Sequence, residues 1–160
     1  MTLVVQNTLD PALYNSLATL TGSQVIANKT LKVVKEPVTL AGVAPGGLVD
    51  FDVATQSIVL YNTATQNFIL NLRGDSTTPL SSLVNVGESV GVTLLVPNGS
   101  VAHSLTNVTI DSGAGTRTLQ YQNAVTAPAG NSFCTDIYVV YVIRTGTTTW
   151  NVYISQTKYA

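Results

Sequence analysis

The chain reads as an all-β protein, a β-sandwich or jelly-roll-like domain carrying a short N-terminal helix-plus-extended arm. Three observations predict this. Apolar residues recur at every second position in segment after segment, the period of a half-buried strand rather than of a helix. The polar residues are mostly uncharged, with 23 threonines among 160 residues, and Thr, Val, Ile and Tyr suit pleated, half-buried surface. Turn residues interrupt the alternation at short intervals, as in sandwiches of about eight strands.

Only one stretch carries helical periodicity. Asp10 stands before Pro11, Leu13, Leu17 and Leu20 follow at helical spacing, and Gly22 comes next. An aspartate cap, a proline at the first helical position and a glycine past the end are start and stop signals. A helix of about ten residues does not hold alone in water, so its leucine stripe needs another surface, on its own chain or on a different subunit. Ser23 to Pro37 reads as extended and contains Lys29, Lys32 and Lys35. Lysines there either keep a strand edge from unwanted pairing or meet an acidic partner. Residues 1–36 are expected to form an attachment and assembly arm, and residues 37–160 the β-sandwich.

Within the sandwich, LVDFDV (48–53) sends Val49, Phe51 and Val53 inward and Asp50 and Asp52 outward. SIVLYNT (57–63) and NFILNLRG (67–74) follow, and Ala64-Thr65-Gln66 between them has hairpin length. SVGVTLLV (89–96) places Val90, Val92, Leu94 and Val96 on one face. LTNVTID (105–111) and TRTLQYQ (116–122) flank an SGAG turn. DIYVVYVIR (136–144) is apolar on both faces and belongs at the centre. The last twelve residues, TWNVYISQTKYA, alternate to the end, with Trp150, Val152 and Ile154 inward and Tyr153 outward. This strand is expected to pair beside 136–144, carry Trp150 into the core and make the domain an end piece.

Charged residues are only 9% of the chain and the net charge is −1, which gives nucleic acid or an anionic membrane no electrostatic handle. So low a charge invites self-association and suits a subunit whose surface is committed to neighbours. Cys134 is the sole cysteine, so neither an internal disulfide nor a cysteine zinc site is expected; a buried structural thiol is. The N-terminus lacks the pattern of a signal peptide, and the longest apolar run, 137–143, is too short to span a bilayer. His103, the sole histidine, lies in a loop without companion residues. Asp50 and Asp52 share a face and could hold Ca²⁺ with carbonyl help, although wet-face charges are the commoner case. Pro45-Gly46-Gly47 precedes a strand rather than a helix, which marks a turn and not a phosphate loop. The expectation is no enzyme, no cofactor and no metal.

The block LVDFDVATQSIVLYNT, then NFILNLRGDSTTPLSSLVNVGESVGVTLLVPNG, then the closing YISQTKYA resemble a virion structural module of tailed bacteriophages, cyanophages and other marine phages among them. The matching positions are Phe51 to Val53, Asn67 to Gly74, Leu80 to Ser89, Val96 to Gly99 and Ser155 to Ala160, with Pro97 departing from the pattern. Upstream, IANKTLK (26–32) resembles segments that lead into the ends of phage fibres. The resemblance implies a non-enzymatic fibre or appendage subunit, made in the host bacterial cytoplasm and located in the virion. The arm would be its anchor through Leu13, Leu17, Leu20, Lys29, Lys32 and Lys35. The expected partners are further copies of the chain, as a trimer, and tail, neck or capsid proteins, with no nucleic acid and no membrane insertion. Two alternatives stand beside this: a capsid decoration (cement) protein, and a domain that recognises host-surface glycan through Tyr61, Tyr121 and Tyr159. A polysaccharide depolymerase would need a carboxylate pair in a groove.

Overall fold

A computed structural model describes residues 36–124 and 126–160. The predicted helix and the three lysines of the arm lie outside the described residues. Among those described, the protein is all-β. Its strands are β1 (Val38–Leu40), β2 (Gly47–Asp52), β3 (Ile58–Leu60), β4 (Phe68–Arg73), β5 (Ser89–Pro97), β6 (Leu105–Ile110), β7 (Thr116–Tyr121), β8 (Thr135–Arg144) and β9 (Thr149–Tyr159). They form a six-stranded sheet in the order β1-β3-β5-β8-β9-β7 and a three-stranded sheet in the order β2-β4-β6.

The chain changes sheet at every step from β1 to β7, and this is where the structure departs from the expected hairpins. β1, β3 and β5 pair in parallel, and so do β2, β4 and β6. The first six strands thus wind as three turns of a flattened coil, each turn giving one strand to each sheet. Parallel neighbours need a crossover of a dozen or more residues, and here a strand of the opposite sheet supplies it. Ala64-Thr65-Gln66 therefore does not close a hairpin. None of the three has positive φ, which a two-residue primed turn demands, and the Ala64 amide bonds across to the Pro97 carbonyl. The SGAG segment does turn sharply, with positive φ at Asp111, Ser112, Gly113 and Gly115. It too carries the chain between sheets, from β6 to β7. The last strand pairs beside β8 as expected, antiparallel to it; β8 is also antiparallel to β5, and β7 joins β9 in parallel at the far edge.

One core lies between the sheets. The large sheet contributes Val59, Tyr61, Val92, Leu94, Val96, Tyr138, Val140, Val142, Trp150, Val152 and Ile154, and the small one Phe51, Phe68, Leu70, Leu72, Leu105, Val108 and Ile110. The alternation read from the sequence thus assigns the correct faces in β2, β5 and β9. Phe68 and Tyr138 meet edge-to-face with centroids 5.9 Å apart, and the Leu105 amide donates to the Tyr138 hydroxyl at 3.4 Å. In β6, Leu105 and Val108 are an odd number apart yet both buried. A bulge makes this possible: Phe68 pairs Leu105 while Ile69 pairs Asn107, so Thr106 is the extra residue.

The strand β8 sits inside the large sheet, but only one of its faces is buried. Tyr138, Val140 and Val142 are covered, while Val139 and Tyr141 are 37% and 52% exposed. Cys134, expected to be buried, is only half-buried at the start of the strand.

Candidate functional site

The groups capable of acid–base or metal chemistry are bound into local structure. On the outer face of the small sheet, pairing puts Asp50 beside Asn71 and Asp52 beside Arg73. The Arg73 guanidinium reaches both carboxylates, with Nη1 2.6 Å from Asp50 and Nε 2.6 Å from Asp52; these charges in turn raise the pKa of Arg73, the hydrogen bond it donates to Asp52 contributing most. Asp50 also accepts from Asn71 Nδ2 at 2.7 Å, and Asn71 Oδ1 takes the Ser112 amide at 2.7 Å. The aspartate pair is thus a strut between strands and the SGAG turn. No group of three or more potential metal ligands occurs among the described residues.

His103 is half-buried in a loop whose backbone is clamped by one side chain. Asn98 Oδ1 accepts the His103 amide at 3.0 Å and Asn98 Nδ2 donates to its carbonyl at 3.2 Å. The same Nδ2 donates to the fully buried carboxylate of Asp136 at 2.9 Å. Asp136 further accepts the Asn131 amide at 2.9 Å and Asn131 Nδ2 at 2.7 Å. At the opposite end of β8, Arg144 donates to the carbonyls of Ser81, Val84, Gly146 and Thr147 and lies 5.4 Å from the Trp150 ring centroid. Each of these polar groups fixes a loop.

The three tyrosines proposed for recognition fare differently. Tyr61 is 7% exposed, and burial pushes its pKa up to about 12. It is a core residue, because it shares the inward parity of Val59 just beyond β3, and it offers little surface for a ligand to stack on. Tyr159 is exposed at the end of β9, opposite Thr135. Tyr121 is half-buried and lines a shallow cleft of about 310 Å³ on the outer side of the large sheet. Burial raises its pKa, partly offset by Arg117. Leu13, Leu17, Leu20, Lys29, Lys32 and Lys35 lie outside the described residues.

Besides Tyr121, the residues that build the cleft are ones the sequence did not mark for recognition. Tyr141 and Tyr153 are direct cross-strand partners, 52% and 39% exposed. Gly91 lies on the far side of Tyr141, and Gln120 lies beyond Tyr153. A Cβ on Gly91 would fall 2.9 Å from the Tyr141 ring, so the ring lies down over the glycine and offers its other face outward. Alternation within β8 could have found Tyr141, three residues from the inward Tyr138, had both faces not been read as buried.

The cleft belongs to a larger surface. Outward positions of the large sheet, read in rows across the pairing, are Val38–Ile58–Thr93–Val139–Ser155, Leu40–Leu60–Leu95–Ile137–Thr157 and Gly91–Tyr141–Tyr153–Gln120. Outside these rows lie Ser89, Ile143, Asn151 and Thr118 at one end and Pro97, Thr135 and Tyr159 at the other. None of these residues is charged. The outer face of the small sheet, by contrast, carries Asp50, Asp52 and Arg73. No family model, no curated protein and no solved structure matches the chain.

Proposed function

We propose that the chain is a non-enzymatic structural subunit of a tailed-phage virion, a fibre or appendage component that associates with further copies of itself through the outer face of its six-stranded sheet. The observation that carries this reading is the absence of charge across that face, with an aliphatic strip (Leu40, Leu60, Leu95, Ile137) running over four of its strands. Large apolar patches on soluble proteins mark interaction sites. A neutral face is compatible with another copy of itself, where a charged one would repel. The four strands that carry the strip, spaced about 4.8 Å apart and about five residues deep, give roughly 330 Å² per copy. Two such faces bury about 650 Å², below the roughly 1,000 Å² of a stable biological interface. Pairing through this face alone would be weak, and a symmetric oligomer with an anchoring arm would strengthen it. In this reading the two-sheet core is the projecting sandwich of the subunit and residues 1–36 hold it to the particle. The sequence resemblance to phage virion modules supplies the biological setting.

The experiment has two parts. Sedimentation of the full-length chain should show an oligomer, and Leu40→Lys with Leu95→Lys should shift it towards monomer while thermal unfolding stays cooperative. Immunogold labelling of particles from the phage that encodes the chain should decorate the tail or neck at a few to tens of copies. Labelling over the whole shell would favour the decoration protein. A monomeric wild type, or particles without label, would refute the proposal.

A further inference from the structure

We propose that the cleft at the β7–β9–β8 end of the large sheet binds a neutral saccharide, with Tyr141 and Tyr153 as the stacking platform. This rests on the local geometry and stands whether or not the chain is a virion subunit. The argument begins with what the two rings present. Tyrosines at paired positions on neighbouring strands, both partly exposed, line the same cleft, and Gly91 leaves room for the Tyr141 ring to lie low against the sheet. A pyranose has one apolar face of C–H groups, which suits an aromatic face, and a rim of hydroxyls that needs hydrogen-bond partners of either polarity.

The rim of the cleft supplies such partners. Gln120 and Gln122 bring amides, which both donate and accept, and Ser155 adds a hydroxyl, while Val139 contributes apolar floor. The absence of charge narrows the ligand class. No lining residue is acidic, which leaves a cation held on the aromatic faces without a counter-charge, and none is basic, so phosphate, sulfate or an acidic sugar has no ion-pairing partner. At about 310 Å³ the cleft lies at the small end of ligand sites, suited to roughly one or two sugar rings. Its openness to solvent on the sheet surface suits a chain end or a segment of a longer glycan passing across it.

The test uses the full-length protein, titrated with maltotriose, cellotriose, lactose, chitotriose and mannotriose at millimolar concentration and followed by saturation-transfer NMR. Sialyllactose serves as the acidic comparison. At least one neutral sugar should bind and sialyllactose should not exceed it. Tyr141→Ala and Tyr153→Ala should each weaken binding by about tenfold, the loss of one stacking contact, while Tyr141→Phe and Tyr153→Phe should retain it. Gly91→Ala keeps both tyrosines but forces the Tyr141 ring away from the sheet, and should weaken binding several-fold without loss of cooperative unfolding. Tyr159→Ala, outside the cleft, should change nothing. No binding of any neutral sugar by the folded wild type would overturn the proposal, as would binding that survives both alanine variants or is lost only with Tyr159→Ala. Such a result leaves the assembly reading intact, since that is scored on sedimentation and particle labelling.

Discussion

Replacing Asp136 with Asn should destabilise the protein by about 2–3 kcal/mol, although the change is nearly isosteric. The carboxylate is fully buried, and three donors converge on it. Asn98 Nδ2 and the Asn131 amide both meet Oδ2, and Asn131 Nδ2 meets Oδ1. An acceptor-only group is what this arrangement requires. An asparagine can keep its oxygen at the Oδ2 position, but its amide nitrogen then faces the Asn131 side chain, donor against donor. One charge-assisted bond, worth roughly 1.5–3 kcal/mol, is lost, and a buried donor is left unpaired. Asp136→Ala removes all three acceptors and should cost more, about 3–5 kcal/mol, a large fraction of an ordinary domain's 5–15 kcal/mol. Because Asn98 also clamps the His103 backbone, the damage should spread to a second loop. Urea unfolding at neutral pH gives the stability change, and amide hydrogen exchange at Asn131 and His103 should speed up in both variants. An Asp136→Asn protein within about 0.5 kcal/mol of wild type, with unchanged exchange at His103, would refute this account of the network.

Two further outcomes are expected. Trp150→Ala should cost about 3–5 kcal/mol, since the ring is 3% exposed and also carries the Arg144 contact, whereas Tyr153→Ala on the opposite face should cost far less; chemical denaturation compares the two directly. In alkali, Tyr61 and Tyr138 resist ionisation because burial disfavours their phenolates, raising Tyr61 to about 12 and Tyr138 further. Folded values above the unfolded value of about 10 mean that this stabilisation is complete below about pH 10 and is lost as pH rises through the folded values. Ultraviolet titration should therefore show Tyr61 and Tyr138 ionising only as the protein unfolds. Titration of Tyr61 and Tyr138 near pH 10 with the fold intact would contradict their burial.

The strand faces were legible because period two is a local property. Phe51 against Asp50, Leu94 against Thr93 and Trp150 against Tyr153 each follow from alternation within one segment. Partner choice is not local. A three-residue link such as Ala64-Thr65-Gln66 has the same length whether it turns back within a sheet or crosses to the other, and only its lack of a residue suited to positive φ spoke against the hairpin. Segments apolar at every position defeat the reading altogether. In Ile58-Val59-Leu60-Tyr61, either parity could face inward, and the structure buries Val59 and Tyr61, which leaves Tyr61 little exposed surface. The bulge at Thr106 likewise breaks the alternation of β6 without a glycine to announce it. The cleft was half visible: Tyr153 was assigned outward, but Tyr141 was hidden within a run that looks central.

That same run also shows why low charge alone was a weak guide to function. A chain with 9% charged residues could have had them thinly spread everywhere, and the composition would say nothing about a partner. Instead the two outer faces differ in kind. The small sheet turns Asp50, Asp52 and Arg73 towards solvent and ties them together. The large sheet turns Ile137, Val139, Tyr141 and Ile143 outward from its inner strand β8, with Leu40 and Leu60 along the β1 side and no charge at any outward position. The strand looks doubly buried in sequence because its outward side chains are of the kind that pack, and what distinguishes them from core residues is that the described chain covers Ile137 and Ile143 only in part and leaves Val139 and Tyr141 exposed. If a second copy covers the aliphatic half and a sugar the tyrosine half, the two contacts lie side by side on one rigid sheet. Loss of the first through Leu40→Lys and Leu95→Lys should then leave the second measurable on the monomer.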